Sequence, residues 1–322
     1  MLYRLSYPGL ASLPIPNGPA RSTQPIVFDQ APGPDHGRLI RRAAQDSLAD
    51  ALGHPLPLAS IRMDPTMASR IDALEQTWTS LQSVLKDLNS REWHLPTGCP
   101  GWDVQDNVAH ISGLERWIMG EPLPDHVLPA HLPHVRDDNG RLIELSIDYR
   151  RAWSPRQVYA EFVEIVPGRL ATLRADDTEA DAIRKGPFGA EMPYKALMTI
   201  RIFDCFAHEQ DVRRATGRHG NLTGPAAALS RRLVVNRWTR IVADLPELDK
   251  TRVVLELDGE PHPLIGPATE DEPAAEQLLL RMSFENALAL ACGRSDAEPS
   301  QVTVIGDRSR FVAMVPRLGF TP

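Results

Sequence analysis

Apolar residues recur at spacings of three and four over residues 69–88, where Ile71, Leu74, Trp78, Leu81, Leu85 and Leu88 form one stripe. That period belongs to an amphipathic helix packed on one side. Residues 94–102 (HLPTGCPGW) read as a loop, because prolines and glycines oppose helix there. Asp103 then offers an N-cap, with Asp106 in the first turn. The helix it opens runs to about Met119 and carries Val104, Val108, Ile111 and Ile118 on one face. A polar, proline-rich stretch covers residues 120–153. Ser154, Pro155 and Gln157 supply an N-cap, a first-turn proline and a capping-box glutamine. The third helix they start holds Val158, Phe162, Ile165, Leu170 and Leu173, with a kink expected at Pro167. A fourth helix spans about residues 193–215 and closes at Gly217. Four such helices predict a four-helix bundle over residues 63–219.

Residues 220–225 mark a boundary, and the pattern changes after it. A helix over 226–245 turns Leu229, Leu233 and Ile241 inward; residues 252–259 (RVVLELDG) alternate like a strand ending in a turn. Residues 261–266 (PHPLIG) supply a partner strand, Ser283 caps a short helix stopped by Gly293, residues 301–305 form another strand, and Asp307 caps a last helix to about Leu318. The chain is therefore α+β, with a helical bundle followed by a smaller α+β domain over 220–322. Residues 1–62 differ from both. Nine prolines and five glycines with no sustained apolar period predict a disordered extension, or one lying upstream of a start at Met63 or Met67; only residues 37–52 admit a short helix.

Composition narrows the function classes. A formal charge of −7 excludes a general nucleic-acid binder and argues against docking on an anionic membrane. No apolar run approaches the ~18 residues of a membrane span. Cys99, Cys205 and Cys292 are too widely spaced for a disulfide framework or a paired-cysteine metal motif, which predicts a reducing cytoplasm. Arginine outnumbers lysine 31 to 4, a bias expected of a GC-rich genome.

Polar residues on the apolar faces carry the candidate chemistry. His110 adjoins Ile111 and precedes Leu114 by one turn, so its ring is expected inside the bundle. In the fourth helix Leu197, Ile200, Asp204 and His208 share one stripe, which makes Asp204 and His208 neighbours. Spacing leaves two readings open. One is a helix-surface pair beside a satisfied core histidine. The other is a three-ligand site for Zn²⁺ or a similar divalent ion, with one position open for water or substrate. Asp211 could bind an imidazole N–H or pair with Arg214; Cys99 and Cys205 are read as buried inert thiols; His126, His131 and His134 are read as lying on an exposed flexible segment.

Residues 93–110 (WHLPTGCPGWDVQDNVAH) and 201–217 (RIFDCFAHEQDVRRATG) together resemble the mycothiol-dependent maleylpyruvate isomerase family, a branch of the DinB-like metal-binding bundles. The resemblance covers about residues 69–217 and implies metal ligands at His110, Asp204 and His208, with Asp204 standing where the family has Glu. Residues 284–294 (FENALALACGR) and 304–307 (VIGD) resemble more loosely the family's sterol-carrier-protein-like C-terminal domain, which implies Arg294 as a binding residue for cofactor or substrate. The implied chemistry is that of a divalent metal, expected to be Zn²⁺, which lowers the pKa of a bound thiol. The thiol is mycothiol, as in actinobacteria, and it is transferred to a small electrophile or leaves again after isomerising it. The implied partners are a small-molecule thiol and an electrophilic substrate, with no nucleic acid and no membrane, in a monomer or homodimer. The alternatives are a metal-dependent hydrolase and a non-catalytic metal- or ligand-binding protein of the same fold.

Overall fold

The computed structural model describes residues 65–248, 251–265 and 276–321. The expected extension over 1–62, with its helix at 37–52, lies outside these residues. The helical part consists of α1 (Met67–Leu85), α2 (Val104–Ile118), α3 (Asp138–Arg151), α4 (Pro155–Ala175) and α5 (Tyr194–Thr216). A short antiparallel hairpin, β1 (Ile183–Lys185) and β2 (Glu191–Pro193), precedes α5. Then follow α6 (Pro225–Ala243), β3 (Thr251–Leu257), β4 (Glu260–Ile265), β5 (Glu276–Met282), α7 (Phe284–Ala291), β6 (Thr303–Ile305) and α8 (Arg308–Leu318). The architecture is α+β, with the helices first and the sheet after them.

Local chemistry sets the helix ends. The Asp103 side chain accepts from the Asp106 amide and the Asp106 side chain accepts from the Asp103 amide, closing a capping box on α2. Ser154 and Gln157 make the same reciprocal pair on α4, behind Pro155, and the helix runs on through Pro167 to Ala175. Gly217 takes a left-handed φ of +66° and ends α5. Ser283 and Asp307 cap α7 and α8.

The long stretch before Trp153 departs from expectation. It contains α3, and its loop is held against that helix: His126 Nε2 lies 2.7 Å from Asp148, and His134 Nε2 lies 3.1 Å from the buried Glu144. Of the three histidines only His131 is exposed, so they do not gather on a free segment.

The sheet order is β4-β3-β5-β6. β3 and β4 are antiparallel and joined by Asp258 and Gly259, both at positive φ (+52° and +88°), the Asp-Gly signature of a tight hairpin. β5 lies parallel to β3 and antiparallel to β6. It is an inner strand, and Leu278, Leu279 and Leu280 are all buried. One apolar core runs through both parts, with Phe206 of α5 stacked on Phe284 of α7 and Phe203 on Phe320. α5 is therefore central, touching α1, α2 and α6, and is buried almost all round from Arg201 to Arg213.

Asp106 gives the fold a pH dependence. Burial, with Asp103 nearby, lifts its carboxyl to about 6 despite the ion pair with Arg151. A raised carboxylate pKa favours the folded state most below the unfolded value of about 4 and loses that contribution as pH rises through about 6. Asp106→Asn can still accept from the Asp103 amide but does not titrate. Between pH 4 and 7 the wild type should lose stability relative to this variant by a few kcal/mol, at about 1.4 kcal/mol per pKa unit. Urea midpoints at both pH values check it; an equal difference at both contradicts it.

Candidate metal centre

The site is built where α2 faces α5. His110 is 4% exposed, between the buried Ala109 and Ile111. Asp204 and His208 follow one another by a turn of α5. His110 Nε2 lies 3.2 Å from Asp204 Oδ2, His208 Nε2 lies 3.5 Å from Asp204 Oδ1, and the two imidazole centroids are 4.7 Å apart. One potential ligand atom from each of the three lies within 4.8 Å of the others. The structure thus brings together all three residues singled out from the sequence.

The surroundings orient these groups. Asn107, one turn before His110, accepts at Oδ1 from His208 Nδ1 at 2.7 Å. Its amide nitrogen donates to Thr97 Oγ1 (3.1 Å) and to the Asp103 carbonyl (2.7 Å), so its oxygen can only face His208. With Nδ1 carrying the proton, the His208 Nε2 lone pair is directed at the site. The Trp102 indole covers both imidazoles, with centroids at 5.1 and 5.4 Å, and its Nε1 donates to Glu144. Arg201 donates to Asp204 Oδ2 through Nη1 and to the buried Glu115 through Nε at 2.5 Å, while Arg169 holds the other oxygen of Glu115 at 2.7 Å.

These contacts divide the titrations. Burial drives His110 below the ordinary imidazole range, and the neighbouring Asp204 does not offset it. Burial also acts on His208, but bonds to Asp204 and Asp211 outweigh it and hold that group above the usual value. Asp204 stays well below the carboxylate range because His110 and Arg201 more than offset its burial. The neutral His110 and the ionised Asp204 are in the forms that bind divalent ions, whereas His208, held toward its protonated form, would release a proton on ligating one.

One expectation needs revision. The stripe through Leu197, Ile200, Asp204 and His208 is not uniformly interior: Ile200 is 43% exposed and Asp204 30%. The buried core face of α5 runs through Met198, Ile202, Cys205 and Phe206, so Ile200 and Asp204 lie at its margin and the site is open on that side. Arg294 is 7% exposed and engaged by Asp211 and by the Cys292 carbonyl. A second group, Cys99, His208 and Asp211, also has ligand atoms within 4.8 Å of one another. Burial pushes the Cys99 thiol up to about 12, and His208 Nδ1 is taken by Asn107, so that group suits a metal poorly. Cys205 is likewise pushed up to about 12 and accepts from Trp78 Nε1, as expected of an inert core thiol.

Residues 74–213 match the family model of the mycothiol maleylpyruvate isomerase N-terminal domain. The match spans 140 of the 322 residues. The matched span contains His110, Asp204 and His208 and stops short of Arg294. Two solved structures, a mycothiol-dependent maleylpyruvate isomerase and a histidine-to-alanine mutant of it, are similar to the chain at 16% identity, with TM-scores of 0.49 and 0.48. Each alignment covers 75% of this chain and 93% of the other. No curated protein matches the sequence.

Sequence spacing did not single out Asn107, Trp102 or Arg201 as parts of the site. Arg201, Asp204, His208 and Asp211 recur at spacings of three, four and three, an ionisable stripe in a helix that is otherwise largely apolar there. That stripe was the available signal for Arg201. Nothing in the spacing marks Asn107 or Trp102, because their contacts come from the fold.

Proposed function

We propose that this chain is a metal-dependent enzyme that activates a low-molecular-weight thiol, mycothiol, for addition to a small electrophile, with isomerisation or S-transfer as the outcome. The observation that carries this reading is the convergence of His110 Nε2, His208 Nε2 and an Asp204 oxygen at a site open on one side. The match of residues 74–213 to the mycothiol maleylpyruvate isomerase N-terminal domain supports the thiol and the isomerisation. A divalent ion held by these three residues would lower the pKa of a bound thiol and supply a thiolate at neutral pH.

The chain's own residues set up that chemistry. Asn107 holds the Nδ1 proton of His208, leaving Nε2 free to ligate. Arg201 fixes the Asp204 carboxylate and keeps it ionised. Trp102 covers the imidazoles on one face and keeps water from it. Substrate would enter past Asp204 and Ile200, on the exposed margin of α5. In this reading the protein works in the cytoplasm, as a monomer or homodimer, with Zn²⁺ as the ion.

The direct test is turnover of a panel of electrophiles with mycothiol, glutathione and bacillithiol, before and after chelation. Thiol-dependent turnover lost on chelation is expected. Metal-dependent turnover without thiol would make the protein a hydrolase, and a metal-replete protein inactive on the whole panel would make it a binding protein.

Asp204 provides a second check. Its carboxylate already reaches both imidazoles, so the extra methylene of Asp204→Glu carries the oxygens away from that geometry. Asp204→Asn removes the charge. Metal affinity should fall in the order parent, Glu, Asn, by at least tenfold for Asn. Equal affinities in all three would remove Asp204 from the ligand set.

A further inference from the structure

We propose that Arg294, outside the matched family domain, is a positioning residue for His208 and acts through Asp211. This inference rests on the metal reading above. Asp211 lies on α5 one turn beyond His208 and is 1% exposed, and its Oδ2 is 3.3 Å from His208 Nδ1. That nitrogen therefore faces two acceptors, Asn107 Oδ1 and Asp211 Oδ2. Both favour the tautomer that leaves Nε2 for the metal, and a carboxylate behind a ligating imidazole also fixes the ring's orientation.

What holds Asp211 comes largely from the far end of the chain. Arg294 Nε lies 3.1 Å from both carboxylate oxygens and Nη2 lies 2.9 Å from Oδ2, a forked pair of two buried groups. Nη1 donates to the Cys292 carbonyl at 2.9 Å, so the guanidinium cannot turn away. Gly293, at φ +60°, ends the turn after α7 and sends the chain toward α5.

The next two residues clamp the same place. The Ser295 amide donates to the Gly98 carbonyl at 2.8 Å, in the loop that opens α2. Asp296 packs so closely on Gly98 that a Cβ there would sit 2.0 Å from its Oδ1. Asp296 also accepts from Arg214 Nε at 2.9 Å, while Arg214 Nη2 donates to Asp211 at 2.7 Å. Residues 294–296 thus connect the α2 loop, Asp211 and, through it, His208. Arg294 has its nitrogens committed to the protein, which argues for positioning in place of direct binding of substrate.

Cobalt(II) titration of the full chain, followed by its visible d–d absorption, tests this. Arg294→Met and Asp211→Asn should each lower cobalt affinity at least tenfold and shift the d–d bands. The double variant should be no worse than either alone, because both break one linkage. Arg294→Lys, which keeps the charge but not the fork, should recover part of the affinity. Unchanged cobalt affinity in the Lys and Met variants, or additive losses in the double variant, would overturn the proposal. If Arg294→Met does not fold, Arg294→Lys and Asp211→Asn test the same linkage: shifted bands in both support it, and parental bands in both overturn it. A parent protein that binds no cobalt would instead remove the metal reading, and this proposal with it.

Discussion

Alanine at His110 or His208 is expected to abolish stoichiometric metal binding while leaving the helical fold in place. Either change removes one of three ligands and leaves an imidazole and a carboxylate. Two protein ligands cannot replace the three of an open catalytic site, and the ion should be lost on dialysis. The fold survives because the apolar core around His110, with Val108, Ile111 and Phe206, is not touched by the substitution. The two variants should differ in one respect. His208→Ala also leaves Asn107 Oδ1 and Asp211 Oδ2 without their shared donor, so it should cost more stability than His110→Ala. Elemental analysis of the dialysed proteins, with far-ultraviolet circular dichroism as the control, checks both. Full occupancy in either variant would mean that another histidine holds the ion.

The second large effect lies one layer behind the ligands. Glu115 of α2 is 1% exposed and joins Arg169 of α4 to Arg201 of α5. Glu115→Leu would leave two buried guanidiniums facing an apolar side chain. Breaking a buried pair by removing one partner costs about 3–5 kcal/mol, a large fraction of the ~5–15 kcal/mol by which a domain is stable. Glu115→Gln, which can still accept from one arginine, should lose about half as much. Urea denaturation with an unchanged slope measures the loss. A change below about 1 kcal/mol would show that Arg169 and Arg201 find other partners.

Much of the fold was legible because its signals are local. Asp103, Ser154, Gly217, Ser283 and Asp307 each act within one turn of their helix, and each caps where the sequence placed it. α3 was not legible. Its buried residues are Glu144, Ser146, Ile147 and Arg150, so its inward face carries charge and shows no apolar stripe. That face is satisfied partly within the helix, by Arg151 for Glu144, and partly from other elements, by Glu161 for Arg150 and Trp102 for Glu144. β5 was missed for the opposite reason. As an inner strand its leucines are buried on both faces, and the period of two that marks a strand disappears.

The site divides in the same way. His110, Asp204 and His208 sit on helices whose phase can be counted, so their convergence could be anticipated. The groups that orient them depend on which helix meets which: Asn107 reaches His208 across 101 residues, and Arg294 reaches Asp211 across 83.

A divalent ion at these three ligands, with a place left for a thiol, is the central claim. The near-ultraviolet spectrum of the cobalt-loaded protein, recorded before and after adding mycothiol, tests that claim most directly. Before the thiol there should be d–d bands and no thiolate-to-cobalt charge transfer, because Cys99 lies outside the ligand set. On adding mycothiol a charge-transfer band should grow to one equivalent, and it should be absent in His110→Ala. A charge-transfer band already present before any thiol is added, or none after it, would contradict the claim.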